Sequence, residues 1–237
     1  EAHRAGLRHY LATGELNVLN RRMELTAVRR DGTPLPVEVL VSPLSIDGKT
    51  IFSAFLHDIT ERKQVEAIRE HEATHDPLTG LLNRRGMFDL LSQAIARVKR
   101  TRASLALLFI DLDGFKQIND THGHEAGDAV LREVAARLQA SIRQTDTAAR
   151  LGGDEFTVIL ENIKHGIPDA NMLAQKILET LQHPIQLDSV TATISASIGI
   201  SMHHPYDERS ADQLVNAADS AMYTAKHAGK NQVCVHK

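Results

Sequence analysis

Hydrophobic and polar positions along the first 60 residues alternate in short bursts, the period of strands with one buried face. Met23 to Arg29 alternates, Asp31-Gly32 carries a hairpin signal, Val37-Glu38-Val39-Leu40-Val41 predicts a second strand, Asp47-Gly48 a second turn, and Thr50 to Leu56 a third strand. Ahead of them Ala5 to Leu11 predicts a short helix ending near Gly14. From Asp58 to about His75 the chain is highly charged and lacks Gly and Pro, with Ile59, Val65, Ile68 and the small Ala73 as apolar marks. That stretch predicts a connecting helix, with a dimeric coiled coil as one way to cover its sparse apolar side.

From Asp76 the pattern changes to longer elements. Met87 to Val98 has helical spacing, and Leu105 to Asp111 is a near-continuous apolar run that suits a buried strand. Ala126, Val130, Leu131, Val134, Ala135 and Leu138 fall on one helical face. Ala148 to Leu160 predicts a hairpin turning at Gly152-Gly153, followed by a helix over Asn171 to Leu181, a strand over Thr191 to Ile200, a helix over Ala211 to His227 and a last strand over Val233 to Val235.

Composition narrows the function classes. The 237 residues suffice for one large domain plus a smaller piece, and 42% hydrophobic with 24% charged residues is ordinary for a globular protein. A formal net charge of -3 argues against a polymeric nucleic-acid partner, which calls for a basic excess. The one cysteine, Cys234, allows no intramolecular disulfide, so a cytoplasmic, reducing setting is expected. No apolar run approaches membrane-spanning length, and no signal peptide is visible. The chain begins Glu-Ala-His-Arg rather than with Met, which is expected of a piece of a longer protein.

Two acidic segments stand out. Asp111 ends an apolar strand and opens a loop, Leu112-Asp113-Gly114-Phe115, a place from which a carboxylate can meet a hard cation such as Mg²⁺. Alone, Asp111 reads more simply as a turn cap. Gly152-Gly153-Asp154-Glu155 permits a tight turn with positive φ, and its glycines let a phosphate approach the backbone. Alternation along a strand sends Asp154 and Glu155 to opposite faces, which assigns Asp154 to the place beside Asp111 and Glu155 to a supporting role. A lone Gly-Gly-Asp-Glu reads equally as a hairpin with solvated charges.

The motifs gain meaning together. Phe109 to Asp120, then Gly123-His124 and Gly127-Asp128, then Arg150-Leu151-Gly152-Gly153-Asp154-Glu155-Phe156, resemble the GGDEF family of diguanylate cyclases. Asp76-Pro77-Leu78-Thr79-Gly80-Leu81-Leu82-Asn83-Arg84-Arg85 looks like that family's opening signature. Ala218-Asp219, Ala221 to Lys226 and Gly229-Lys230-Asn231 look like its closing one. The resemblance spans residues 74 to 237 and implies an α+β fold, a cyclase- or polymerase-palm-like, largely antiparallel central sheet flanked by helices. It implies a homodimeric enzyme that condenses two GTP molecules into cyclic di-GMP with Mg²⁺ or Mn²⁺, the metal held by Asp111, Asp154 and the Leu112 carbonyl. Asp154, Glu155 and Lys116 are then the catalytic candidates. Asn119 and Asp128 would read guanine, with Phe115, Gly152, Gly153, Lys226 and Lys230 completing the GTP site. Asp128 also reads as a helix N-cap. Lys230 stands where the family more often has Arg; lysine keeps the charge and loses the two-pronged fork. Arg143 and Asp146 resemble the family's inhibitory product site, with Lys176 as a helper by spacing; a surface ion pair between Arg143 and Asp146 is the plainer alternative.

Residues 1 to 60 resemble the C-terminal part of a PAS domain through Val28 to Gly32, Pro36-Val37-Glu38 and Asp58 to Arg62. The first half of such a domain is missing, so no ligand follows, and His3, His9 and His57 read as surface or packing histidines. The expected organisation is a partial PAS piece at 1–60, a linker helix at 61–75 and a GGDEF domain at 76–237. The rival readings are a catalytically silent GGDEF module that binds GTP or cyclic di-GMP to regulate a neighbour, and one half of a longer protein that also carries a phosphodiesterase.

Overall fold

The computed structural model describes residues 21–46, 49–187 and 191–236. The expected helix at Ala5 to Leu11, His3, His9 and the Asp47-Gly48 turn lie outside them. The chain divides into two compact units, Glu1–Glu70 and His71–Lys237.

In the first unit β1 (Arg22–Val28), β2 (Pro34–Ile46) and β3 (Lys49–Asp58) form an antiparallel meander in chain order. Gly32 has φ +86°, and the Asp31 carboxylate accepts from the Thr33 amide and hydroxyl, which closes the predicted first turn. Among the described residues the first unit buries Val37, Val39 and Ile59, whereas Leu25, Phe55 and Leu56 are exposed. His57 is exposed. Helix α1 (Thr60–Thr74) occupies the predicted linker and has no buried residue. Its first turn is held by the Asp58 carboxylate, which accepts from the Thr60 amide at 2.9 Å.

The second unit is built on a five-stranded sheet in the order β10-β9-β4-β6-β5. The strands are β4 (Ser104–Asp113), β5 (Thr147–Gly152), β6 (Glu155–Ile163), β9 (Ser195–His203) and β10 (Gln232–Val235), with a two-residue ladder of β7 (Ile185–Gln186) and β8 (Thr191–Ala192) apart from it. All neighbours pair antiparallel except β10 on β9. Helices α2 (Arg84–Thr101), α3 (Phe115–His122), α4 (His124–Ser141), α5 (Ile167–Leu181) and α6 (Ala211–His227) surround it. This is the α+β, largely antiparallel architecture that the resemblance implies.

The central strand explains its own sequence. On one face of β4 Ala106, Leu108, Ile110 and Leu112 join Val130, Val134 and Leu138 of α4 and Ile177 and Leu181 of α5. On the other, Leu105, Leu107 and Phe109 join Met87 and Leu91 of α2 and Leu214 and Met222 of α6. Both faces are covered, so alternation vanishes from the sequence.

Several boundaries differ from expectation. β4 runs two residues past Asp111, because Leu112 and Asp113 pair with Ala196 and Ser195 of β9. The expected loop therefore shrinks to Gly114, whose φ of +81° starts α3, a helix too short to show a period. The expected strand at Thr191 to Ile200 is two elements, β8 and β9. Helix α5 starts before Pro168, which is tolerated in a first turn where amides lack partners anyway.

Candidate functional site

The turn between β5 and β6 is set by two glycines, Gly152 at φ +143° and Gly153 at φ +51°, conformations that a side chain disfavours. The register places Glu155 directly across from Asp111, and the Leu112 amide donates to the Asp154 carbonyl at 3.2 Å. Cross-strand partners share a face, so Asp111 and Glu155 lie on the same side of the sheet. Asp154 belongs to the turn, outside the pleat, so the alternation expected to separate it from Glu155 does not apply. Both carboxylates therefore come close to Asp111.

A cavity of about 500 Å³ opens at this end of β4, lined by Asp111, Leu112, Asp113, Phe115, Lys116, Asp154, Lys226 and Lys230 among others. Asp111 is 6% exposed. Its Oδ2 pairs with Lys226 Nζ at 2.6 Å, while its Oδ1 is buried without a hydrogen-bond partner. Burial raises the Asp111 carboxyl above the ordinary range; Lys226 opposes the rise, and the neighbouring Asp154 and Asp113 charges add to it. Glu155 is raised too, by burial first, against Arg84 at 3.5 Å, with Asp111, Asp219 and Asp154 contributing. A buried acceptor without a donor, in a cluster whose negative charges disfavour one another, is a position that a cation satisfies. Among the described residues no three His, Cys, Asp or Glu side chains form a ready cage. The donors lining the cavity are carboxylate and carbonyl oxygens, the type that a hard divalent cation takes while keeping water in its shell.

Asn119 and Asp128 do not line this cavity. Asn119 stands on α3 and packs against Gly127 of α4, the residue before Asp128. A Cβ on Gly127 would stand 1.9 Å from Asn119 Oδ1, so glycine there lets the helices bring Asn119 next to the turn carrying Asp128. Both side chains are half-buried, without a hydrogen-bond or ion-pair partner among the described residues. Helix α4 starts at His124 with Gly123 as its cap, so Asp128 sits in the second turn and the N-cap alternative falls.

Arg143, Asp146 and Lys176 line a separate cavity of about 340 Å³. Asp146 Oδ2 accepts from the Arg143 amide at 3.2 Å, and Lys176 Nζ donates to the Ser141 carbonyl at 2.9 Å. The guanidinium of Arg143 forms no ion pair with Asp146 among the described residues, which removes the plainer alternative for this motif.

Three contributors went unassigned in the sequence. Arg150 donates to both oxygens of Asp76 at 3.0 and 3.1 Å and to the Gly153 carbonyl at 3.1 and 2.9 Å. It thereby ties the opening signature to the acidic turn. Arg84, also from that signature, faces Glu155. Asp113 accepts from Ser195, Ser197 and the Asn231 amide. All three lie inside the quoted motifs, yet nothing in their spacing reveals partners 71 residues away for Arg84 with Glu155 and up to 118 residues away for Asp113.

Comparison with known proteins extends this picture. Residues 73–232 match the family model described as diguanylate cyclase, GGDEF domain, and residues 1–61 match a PAS domain model. The bifunctional diguanylate cyclase/cyclic di-GMP phosphodiesterase MucR of Pseudomonas aeruginosa is 46% identical over 162 residues, 68% of this chain and 23% of that protein. The diguanylate cyclase TpbB of the same organism is 39% identical over 222 residues, 92% of this chain and 50% of that protein. The chain thus spans half or less of the length of these relatives. Among solved structures, the coiled coil and GGDEF domain of DgcB from Caulobacter crescentus, in complex with c-di-GMP, superposes with a TM-score of 0.67 at 30% identity, covering 74% of this chain and 91% of that one.

Proposed function

We propose, from the premise that this chain belongs to the GGDEF-domain family of diguanylate cyclases, that residues 76–237 condense two GTP molecules into cyclic di-GMP and two pyrophosphates. Residues 1–60 would then be part of a PAS-type input domain and 61–75 the linker helix through which its state reaches the enzyme. The observation that carries this reading is the buried, unpartnered Asp111 Oδ1 in a cavity shared by Asp154, Lys116, Lys226 and Lys230.

In the proposed site the lysines receive the triphosphate. Asn119 and Asp128 read guanine, the amide donating to O6 and the carboxylate accepting from N1–H and the exocyclic amine. Adenine reverses donor and acceptor along that edge and leaves such groups unpaired, at a cost of about 1–3 kcal/mol each. Asp111, Asp154 and the Leu112 carbonyl would hold Mg²⁺ or Mn²⁺, which when bound stabilises charge on the reacting oxygens. Asp154 takes the proton from the attacking 3′-hydroxyl, and Glu155, held by Arg84, supports the charge balance. One cavity holds one GTP and the product is symmetric, so two protomers must face one another. The 340 Å³ cavity with Arg143, Asp146 and Lys176 would bind the product, its guanidinium free to grip a phosphate or the Hoogsteen edge of guanine.

Incubation with GTP and Mg²⁺, followed by chromatography, tests the reading. Cyclic di-GMP and pyrophosphate are expected, abolished in Asp154→Asn and absent with ATP. Equal use of ATP and GTP, or near-normal turnover by Asp154→Asn, overturns the site. Nucleotide binding without turnover by the wild type identifies a silent module instead.

A further inference from the structure

We infer that Asp113 is a positioning residue that sets Lys230 against the triphosphate, an inference that rests on the reading of this cavity as a GTP site. Lys230 and Asn231 follow α6 with φ of +63° and +45°. Two consecutive non-glycine residues in the left-handed region need surroundings that hold them there. Three holds are present. The Lys230 amide donates to the Ala225 carbonyl at 3.1 Å, Gln182 Nε2 donates to Asn231 Oδ1 at 2.6 Å, and the Asn231 amide donates to Asp113 Oδ2 at 3.0 Å.

Asp113 itself is immobilised from β9. Ser195 Oγ donates to Oδ2 at 3.1 Å and Ser197 Oγ to Oδ1 at 2.9 Å. Asp111 and Asp113 are two residues apart and share a face of β4, yet they are treated oppositely. One keeps an oxygen free, and the other has both oxygens occupied by neutral donors. Asp113 forms no ion pair with Lys230 among the described residues, so the ammonium stays available in the cavity that both line. An anion beside a phosphate site opposes phosphate by charge alone. Its placement makes sense through the backbone it holds, with the neutral donors spreading its charge.

The test uses this chain and 3′-deoxy-GTP with Mg²⁺, an analogue lacking the attacking hydroxyl, with affinity read by calorimetry. Asp113→Ala and Lys230→Ala are each expected to weaken binding about tenfold, the scale of one charge-assisted phosphate contact. The double variant is expected to be no weaker than either single one, because both act through one ammonium. Asp113→Asn, which keeps an acceptor for the Asn231 amide, is expected to recover most of the loss. Should Asp113→Ala not fold, Gln182→Ala serves, with a loss of about threefold that vanishes in the Lys230→Ala background. Unchanged or tighter binding by a folded Asp113→Ala, or additive losses, overturns the inference while leaving the GTP site standing. Failure of the wild type to bind the analogue overturns the GTP site and the inference with it.

Discussion

Asp111 illustrates how a site residue opposes stability. Its carboxyl is raised above the ordinary range, so in the ligand-free fold its ionisation is disfavoured. The folded state then binds more protons than the unfolded chain between the ordinary value near 3.8 and the raised one. In that window stability falls as pH rises. Asp111→Asn should therefore raise the thermal midpoint of the ligand-free protein at neutral pH by a few degrees, on the order of 1 kcal/mol, and abolish turnover. Melting curves with and without Mg²⁺ check this: the wild type should gain stability from the ion, and the variant should gain little. His203 presents the opposite sign. It is fully buried on β9, with both ring nitrogens lacking hydrogen bonds and Asp207 Oδ2 3.5 Å from Nδ1. Burial lowers its pKa from 6.5; Asp207 opposes this, and Arg209, Lys99 and His204 reinforce it. Its contribution is full above 6.5 and is lost as pH falls from there toward the lowered folded value. Asp207, held at about 2 by Arg209, stays ionised throughout that window. His203→Leu should flatten the decline in stability below pH 6.5, measured by denaturant titration at several pH values. An unchanged decline would place its source elsewhere.

At the scale of elements, the acidic turn depends on a clamp from outside its own hairpin. Arg150 is 11% and Asp76 17% exposed at the side chain, so their pairing is sheltered from solvent. Burial raises the Asp76 carboxyl, but the Thr79 hydroxyl and Arg150 outweigh it and hold it below the ordinary range. Arg150 further fixes the Gly153 carbonyl, one peptide from Asp154. Arg150→Ala should destabilise the second unit by about 2–3 kcal/mol, toward the lower end for breaking a sheltered ion pair. Turnover should fall more than stability explains. A double-mutant cycle with Asp76→Ala, followed by denaturation and by product formation, should show strong coupling in both. Coupling in stability alone would confine the clamp to folding. Helix α1 contrasts with it. Its neighbours in the first unit are joined by exposed pairs such as Arg29 with Asp58 and Lys63 with Glu24, each worth little in water.

At the scale of the whole molecule, the proposed catalysis and its feedback sit in two cavities on different elements. The first cavity lies at the ends of β4 and the acidic turn; the other lies between the end of α4, the loop before β5, the end of β6 and α5. Product in the second can slow the first only by binding a non-productive arrangement of protomers more tightly than the productive one. Progress curves should therefore bend as cyclic di-GMP accumulates. Arg143→Ala should make them linear with a higher final yield, and calorimetry should show product binding weakened about tenfold or more. Product binding that survives Arg143→Ala would put the inhibitory site elsewhere.

The sequence alone determined what is local or written in contiguous motifs. The hairpin at Asp31-Gly32, the charged linker, the apolar central strand, the helix at Ala211 to His227 and the turn at Gly152-Gly153 all follow from turn chemistry and periodicity, which act within a few residues. The clustering of Asp111, Asp154, Lys116, Lys226 and Lys230 was legible through ordered motifs, and their shared cavity agrees with it. Tertiary structure decided the rest. Strand β4 outran its apolar run because pairing with β9, not hydrophobicity, sets where a strand stops. Short α3 has no period to read. The closeness of Glu155 to Asp111 came from register, and the partners of Arg150 and Asp113 came from packing. Hydrogen bonds and ion pairs depend on distance in space, and one sequence carries no measure of that distance until the sheet brings its strands together.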